Sequence, residues 1–351
     1  MSILGYFFMQ EATDLIPETP PQEPTCATCG SPEILDGYPA RLCAPCRQAY
    51  IKFPIPNWVK LFGGAILLLV VVSFTLSWKN FNAGISISRA EKFEEQHDHM
   101  SAQKELKKAL DISPNSVTAL GHLAIASFHN GDLGTFGITL SKLTGKEIED
   151  KEMLTTLNGL NDKSVNYYPS EAFQKLGERY PNTIPDSALL NYINTHPGDV
   201  FARFTFASLL MDRDDDLGAD KQLGAVLAAE PGHMFALYLR TITKRELNQL
   251  DSSIYYANQA LHDNRQFTVA LSSKARTLLK QRHYKDGLAL AQHVDDLDSE
   301  LHYNKATLAL AYHLNNNFKE RDVLLKSAQK DSTLGMAMSY VNDVISGKKN
   351  F

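Results

Sequence analysis

The feature that most constrains the fold is a sequence period of 34 residues in the C-terminal half of the chain. Four segments begin at Val200, Met234, Thr268 and His302, each 34 residues after the one before. Small or apolar residues recur at shared places: Ala207, Thr241, Ala275 and Ala309 at one, and Val226, Ala260, Val294 and Ala328 at another. A period of this length is typical of stacked two-helix units. The sequence therefore predicts an all-α solenoid.

Two further copies precede these four, over residues 83–116 and from Val117 to residue 146. Pro114 and Pro231 follow the second helix of their segments at matching places. With small residues at the helix crossings and proline after the second helix, the chain resembles the tetratricopeptide repeat (TPR) family over residues 83–146 and 200–333. The resemblance implies a TPR-like α-solenoid that binds a protein or peptide partner on its concave side.

The region between the two groups of repeats has a different character. From residue 147 to 199 the 34-residue phase is lost, and four prolines predict short helices in a degenerate helical segment: Pro169, Pro181, Pro185 and Pro197. Residues 334–346 are predicted to form a capping helix that covers the last apolar face.

The resemblance also assigns side chains to the groove that the first helices of the repeats line. By repeat phase these groove residues are Phe201, Tyr238, Arg245, Arg276, Lys280, Tyr303 and His313. Aromatic and arginine side chains are useful there as apolar anchors and as partners for carboxylates. Simple packing or solvation is the alternative role for each of them.

Residues 58–78 form an almost wholly apolar run with a tryptophan at each end. Its only charge is Lys60, and 18 uncharged residues separate Lys60 from Lys79. A helix over this run places Trp58 and Trp78 roughly 30 Å apart, which matches the hydrocarbon thickness of a bilayer. Tryptophan at both interfaces is typical of membrane spans. The sequence predicts a single transmembrane helix that contacts the lipid bilayer through residues 58–78.

The predicted orientation of this helix in the membrane rests on the flanking charges and on the position of the cysteines. Four basic residues lie on the N-terminal flank, counting Lys60 near the start of the run, and three lie within a similar distance on the C-terminal flank, which slightly favours a cytoplasmic N-terminus. All four cysteines also precede the run, and free thiols persist in a reducing compartment. We therefore expect a single-pass membrane protein with its TPR-like domain extracytoplasmic.

Four cysteines form two Cys-x-x-Cys pairs separated by 13 residues. Each pair presents two sulfurs from one tight turn, and the pairs together complete a tetrahedral set: Cys26, Cys29, Cys43 and Cys46. This spacing resembles a zinc ribbon over residues 26–50, and four thiolates are the closed ligand set of a structural zinc ion rather than a catalytic one. Two disulfides, or iron on the same four sulfurs, are the alternatives. So short a segment buries too little to fold unaided, so the metal is expected to supply the folding energy.

Two proline-rich stretches flank this four-cysteine module. Residues 1–25 are predicted to be a disordered lead-in, and residues 51–57 a stiff connector to the membrane run.

The sequence carries no pattern typical of an enzyme: there is no phosphate-binding glycine loop, nucleophile elbow or His-Glu-x-x-His motif. A formal net charge of -5 without clustered basic residues argues against nucleic-acid binding. His97 and His99, two residues apart, are expected on a solvated face. The leading hypothesis is a membrane-anchored TPR scaffold with a structural zinc module on the opposite side of the membrane. The alternatives are a single-span signalling protein or a thiol-redox sensor that uses the paired cysteines.

Overall fold

The structure, a computed structural model, describes residues 24–51 and 55–351, with the side chains of residues 74–80 excepted. Two compact units divide between Thr75 and Leu76. The predicted lead-in lies outside the described residues up to position 23, and so do positions 52–54 of the predicted connector. The described residues are helices, turns and loops without a β-strand, which confirms the all-α prediction for them.

The first unit contains the cysteine loops, helix α1 (Ala44–Ile51) and the start of helix α2 (Asn57–Glu95). Across the described part of the chain, no helix has an apolar stretch long enough to cross a membrane. The predicted transmembrane helix at 58–78 is therefore not confirmed. Within that run, side chains are described up to residue 73, and those of residues 74–78 lie outside the description.

The second unit is built from helical hairpins. Its first group comprises the end of α2, α3 (His99–Ile112), α4 (Val117–His129), α5 (Leu133–Leu143) and α6 (Lys151–Ser164). A 3₁₀ turn (Val165–Tyr167) and two short helices follow, α7 (Glu171–Arg179) and α8 (Asp186–Thr195).

The second group contains nine helices: α9 (Val200–Met211), α10 (Asp216–Ala229), α11 (Met234–Glu246), α12 (Leu250–Ala260), α13 (Thr268–Lys280), α14 (Tyr284–Leu297), α15 (His302–Leu314), α16 (Phe318–Ala328) and α17 (Ser332–Ile345). Helices α9, α11, α13 and α15 begin at the first residues of the four 34-residue segments. The chain thus forms a TPR-like helical solenoid in this unit.

A residue with positive φ closes the turn inside each of six hairpins. These residues are spaced 34 apart within each group: His97 and Gly131 in the first, and Asp214, Asn248, Arg282 and Asn316 in the second. The left-handed conformation reverses the chain within a few residues, and glycine, asparagine, aspartate and histidine adopt it at lower cost than most residues. The 34-residue period therefore appears in the backbone conformation of the turns as well as in the residues of the helix faces.

Short polar side chains fix where several helices start. Ser116, Asp132 and Asp199 each accept a hydrogen bond from a backbone N–H in the first turn of the helix that follows, at 2.9–3.3 Å. Such caps satisfy donors that have no partner within the helix and are worth about 1 kcal/mol each.

The first group of repeats packs against the second through a shared hydrophobic core. Phe128 and Phe136 from the first group and Leu160 from α6 join Met234 and Phe267, which lie at the starts of α11 and α13. Helices α7 and α8 pack separately, in a core with α9 and α10. The segment without the 34-residue phase therefore separates two groups of repeats that contact each other directly, with the first group packed against the starts of α11 and α13.

Candidate metal centre and partner-binding cavity

The two Cys-x-x-Cys loops bring all four sulfurs together. Their Sγ atoms lie within 4.8 Å of one another, the only such group of potential ligands among the described residues. Cys29 Sγ and Cys43 Sγ are 3.5 Å apart, and none of the four forms a disulfide. Zinc–sulfur bonds of about 2.3 Å in a tetrahedron place sulfurs about 3.8 Å apart. The four cysteines therefore fit a metal ion, although the geometry does not distinguish zinc from iron.

Local backbone geometry holds the sulfurs in place. Cys43 immediately precedes α1, and its backbone N–H donates to Cys26 Sγ at 3.3 Å. Gly30, directly after the first pair, has a φ of 70°, so glycine suits the turn. The Arg47 guanidinium lies 3.5 Å from the centre of the Tyr38 ring and donates to the Ala40 carbonyl, which secures the loop between the pairs.

The thiols differ in acidity because of their hydrogen bonds. Backbone N–H donation, chiefly from Cys43, lowers the pKa of Cys26 to about 6. Sharing protons with Cys43 and Cys29 raises the pKa of Cys46 to about 12. Four sulfurs this close do not all ionise without a cation among them. A divalent metal ion removes that repulsion, so the donor set favours one.

Three of the predicted groove residues line one cavity. Arg245, Arg276 and Lys280 surround a space of about 420 Å³ between the first helices of successive repeats, with Tyr340 from α17 beside them. Arg245 and Arg276 are 4% and 8% exposed, so much of each guanidinium lies below the surface. The structure brings these three residues to one cavity, whereas their role in a partner-binding groove stays a prediction, and their burial was not anticipated.

Arg245, Arg276 and Lys280 differ in their ion-pair partners. Arg245 and Lys280 both contact the Glu246 carboxylate, at 2.9 and 3.7 Å. Arg276 donates to the Thr307 hydroxyl at 2.8 Å and lies over the Tyr303 ring, and it forms no ion pair among the described residues. Burial acts to raise the pKa of Tyr303, but the charges of Arg276 and Arg245 outweigh it and lower that pKa. Asp214, Asp216 and Glu246 also line the cavity, so its lining carries charges of both signs. Arg276 is the arginine there that has no carboxylate partner among the described residues.

Tyr238 and Tyr303 lie close to these arginines, whereas two predicted groove residues lie elsewhere. Phe201 packs against Phe173 and lines a separate cavity near the 3₁₀ turn. The Nδ1 atom of His313 lies 3.0 Å from the Nη1 atom of Arg321 on α16. The structure thus groups five of the seven residues.

A cluster of histidines around His99 was not predicted from the sequence. His99 is 3% exposed, so the expectation of a solvated face was wrong for this residue. The loop from α12 to α13, more than 160 positions later, covers it: Arg265 N–H donates to the His97 carbonyl at 2.9 Å. Sequence spacing carries no signal for a contact this distant.

Comparison with known proteins gives a fold-level likeness only. No protein-family model and no curated protein matches the sequence. Among solved structures, MamA is 12% identical with a TM-score of 0.36, over 53% of this chain and 99% of MamA. A tetratricopeptide repeat protein from Parabacteroides merdae is 15% identical with a TM-score of 0.38, over 73% of this chain and 97% of that one. PilF of Pseudomonas aeruginosa is 13% identical with a TM-score of 0.31, over 75% and 98%. Likenesses at this level carry no conclusion about function.

Proposed function

We propose that the chain is a non-catalytic, membrane-anchored scaffold that binds a protein or peptide partner in the cavity between α11, α13 and α17. The observation that carries the proposal is the cavity among stacked hairpins that Arg245, Arg276 and Lys280 line, in which Arg276 forms no ion pair among the described residues. Buried arginines are frequent in the centres of protein interfaces, where a guanidinium binds a carboxylate with two hydrogen bonds.

A charge reversal tests partner binding. Lys280→Glu places a carboxylate beside Glu246 and repels an acidic partner, whereas Lys285→Glu makes the same change at an exposed position on α14. Proteins crosslinked to each variant in intact cells are quantified by mass spectrometry. We expect a discrete partner that is lost about tenfold with Lys280→Glu and retained with Lys285→Glu. Equal recovery with both variants contradicts the proposal.

The membrane anchor is proposed from the first part of α2. Its large apolar side chains are exposed to an unusual degree: Trp58 is 70% exposed, Leu61 79% and Leu69 68%. Contiguous exposed apolar surface is unfavourable in water and suits a bilayer or an apolar partner. We expect the chain to resist alkaline extraction from membranes. The double substitution Leu67→Lys and Leu69→Lys is expected to abolish that resistance. Release of the unaltered chain by alkali contradicts the anchor.

For the cysteine module we infer structural zinc on the side of the membrane opposite the repeats. Support comes from the close sulfurs and from the absence of disulfides among the described cysteines. Topology is tested with an impermeant thiol reagent on intact cells, using Ser252→Cys at an exposed site on α12. Labelling of that variant alone before permeabilisation supports repeats outside and thiols inside. Protection of Ser252→Cys, with native cysteines reached only after reduction, inverts the topology and favours disulfides.

A further inference from the structure

An acidic, histidine-rich cavity of about 650 Å³ lies where the first group of repeats meets the later one. Four histidines and six carboxylates line it: His97, His99, His122 and His129, with Glu91, Glu94, Glu95, Asp150, Glu152 and Asp263. No lysine or arginine is among the described residues that line it, and the lysine that acts on one of its histidines is Lys163, on His129. A cavity with this lining has a negative potential and attracts a cation.

One buried ring and one carboxylate oxygen inside this histidine cavity lack ordinary hydrogen-bond partners. The other oxygen of that carboxylate, Glu94 Oε2, lies 2.7 Å from His122 Nδ1. Both ring nitrogens of His99 and the Oε1 atom of Glu94 are buried and form no hydrogen bond of acceptable geometry with the protein. The Asp263 backbone lies close enough to bond one nitrogen of the His99 ring, which leaves the other nitrogen without a partner. Burying an unpaired polar group costs about 1–3 kcal/mol, so such a group in a folded protein usually marks a missing ligand or ion.

The imidazole rings form a compact group around His99. The His99 and His129 rings are stacked with centres 4.4 Å apart, and the His97 and His99 centres are 6.2 Å apart. The charge of Asp263 acts on both His99 and His129. We propose that His97, His99, His129 and Asp263 bind one divalent transition-metal ion at this junction. This site is separate from the four-cysteine module.

The donor set determines the class of ion. Imidazole nitrogen suits zinc, nickel, copper and cobalt, whereas calcium and magnesium prefer oxygen ligands. Metal binding requires neutral rings. Burial lowers the pKa of His99 to about 3 and that of His129 to about 4, so both rings are neutral at pH 7.

Binding requires the side chains of His97 and Asp263 to turn. The stacked rings of His99 and His129 are nearly parallel, and an imidazole nitrogen binds a metal in its ring plane, so one of these two rings must rotate as well. Among the described residues only the cysteines already have their donor atoms within 4.8 Å of one another. His97 and Asp263 are both exposed, which leaves their side chains room to rotate. The Asp263 carboxylate at present contacts His262 at 2.6 Å, a surface pair that is worth little and is easily exchanged for a metal bond.

A metal ion here connects segments that are distant in sequence. The turn before α3, the first residue of α3 and the end of α4 supply histidines, and the loop from α12 to α13 supplies the carboxylate. That loop already holds the first group through Asn264, whose amide donates to the His129 carbonyl at 2.9 Å. The bound ion thus crosslinks these segments and stabilises the junction of the two groups of repeats.

The test is a Co²⁺ titration of the full chain loaded with a single equivalent of Zn²⁺, which the four cysteine thiolates bind in preference to imidazole. We expect one further equivalent with the visible spectrum of a nitrogen and oxygen site and without sulfur-to-cobalt charge transfer. His99→Gln and His97→Asn each weaken this binding by about tenfold or more. His293→Gln, at an exposed position on α14, leaves it unchanged.

His97→Asn keeps the proposal testable if His99→Gln fails to fold, because His97 is exposed and asparagine accepts its positive φ. No further equivalent below millimolar Co²⁺, or binding that neither variant weakens, overturns the proposal. Sulfur-to-cobalt charge transfer reports on the cysteine site alone, so failure of the zinc assignment is distinguished from failure of this one.

Discussion

The side-chain amide of Asn264 donates a hydrogen bond of 2.8 Å to the side-chain oxygen of Asn130, which lies 134 positions earlier in the chain. The same amide bonds the His129 carbonyl, and Asn264 is only 2% exposed. One buried side chain therefore satisfies two acceptors of the first group of repeats. The junction of the two groups depends on this contact as well as on its hydrophobic core.

Replacing Asn264 with alanine is expected to lower the free energy of unfolding by about 2 kcal/mol, because two acceptors lose their donor in a buried place. Urea unfolding followed by circular dichroism measures the change. Asn182→Ala, at an exposed position, is the matched control and should change stability little. Similar stability for the two variants would show that the junction does not need the Asn264 bonds.

Gly131→Ala is expected to destabilise the second unit by about 1 kcal/mol for the positive φ, with a further cost for crowding. An added Cβ at Gly131, where φ is 72°, meets the Phe235 ring at 2.7 Å. Gly145 has a similar φ of 77° and nothing within 4 Å, so Gly145→Ala isolates the backbone cost. Thermal unfolding of both variants gives the difference. Equal losses would place Phe235 farther from the turn than described.

Acid should destabilise the second unit in part through His233. Its ring is 1% exposed, and its Nδ1 atom accepts from the Ala236 N–H at 3.2 Å, so the folded state needs the neutral form. Burial lowers its pKa from 6.5 to about 4. Between these values the unfolded chain binds the proton and the folded chain does not, so stability falls as the pH falls through this window, by about 3 kcal/mol at most.

His233→Asn keeps a side-chain acceptor at the start of α11 without a titrating ring. Unfolding free energies measured from pH 7 to pH 4 should therefore fall less steeply for this variant than for the wild type. His99 and His129 titrate in the same window, so the quantity compared is the difference between the two profiles. Parallel profiles would show that His233 is not buried in the neutral form.

Cys29→Ser should reduce bound zinc from one equivalent to a small fraction and unfold the first unit, because the metal supplies its folding energy. Zinc content and limited proteolysis measure the two effects. Ser31→Ala leaves all four sulfurs in place and serves as the control. Full zinc content in Cys29→Ser would mean that the four cysteines are not a joint site.

The helical repeats were predictable from sequence because a 34-residue period reflects local packing that each unit repeats. The cysteine cluster was predictable for a similar reason, since each pair is one turn. The left-handed residues at Asp214 and Arg282 were not anticipated, because their conformation is set by the turn rather than by residue type. The burial of His99 depends on a loop far along the chain, which no local pattern encodes. Arg245 was assigned to the groove by repeat phase, which stays a prediction, and its burial depends on neighbouring helices that the phase does not describe.

The most direct test of the scaffold is photocrosslinking from inside the cavity that Arg245, Arg276 and Lys280 form. A benzophenone side chain at Ile242, which lines that cavity, is compared with one at Tyr255, which is 57% exposed on α12. We predict a light-dependent adduct of discrete mass from position 242 that is absent from position 255 and is lost when Lys280→Glu is added. Adducts of equal yield from both positions, or from position 255 alone, would contradict a partner-binding role for this cavity.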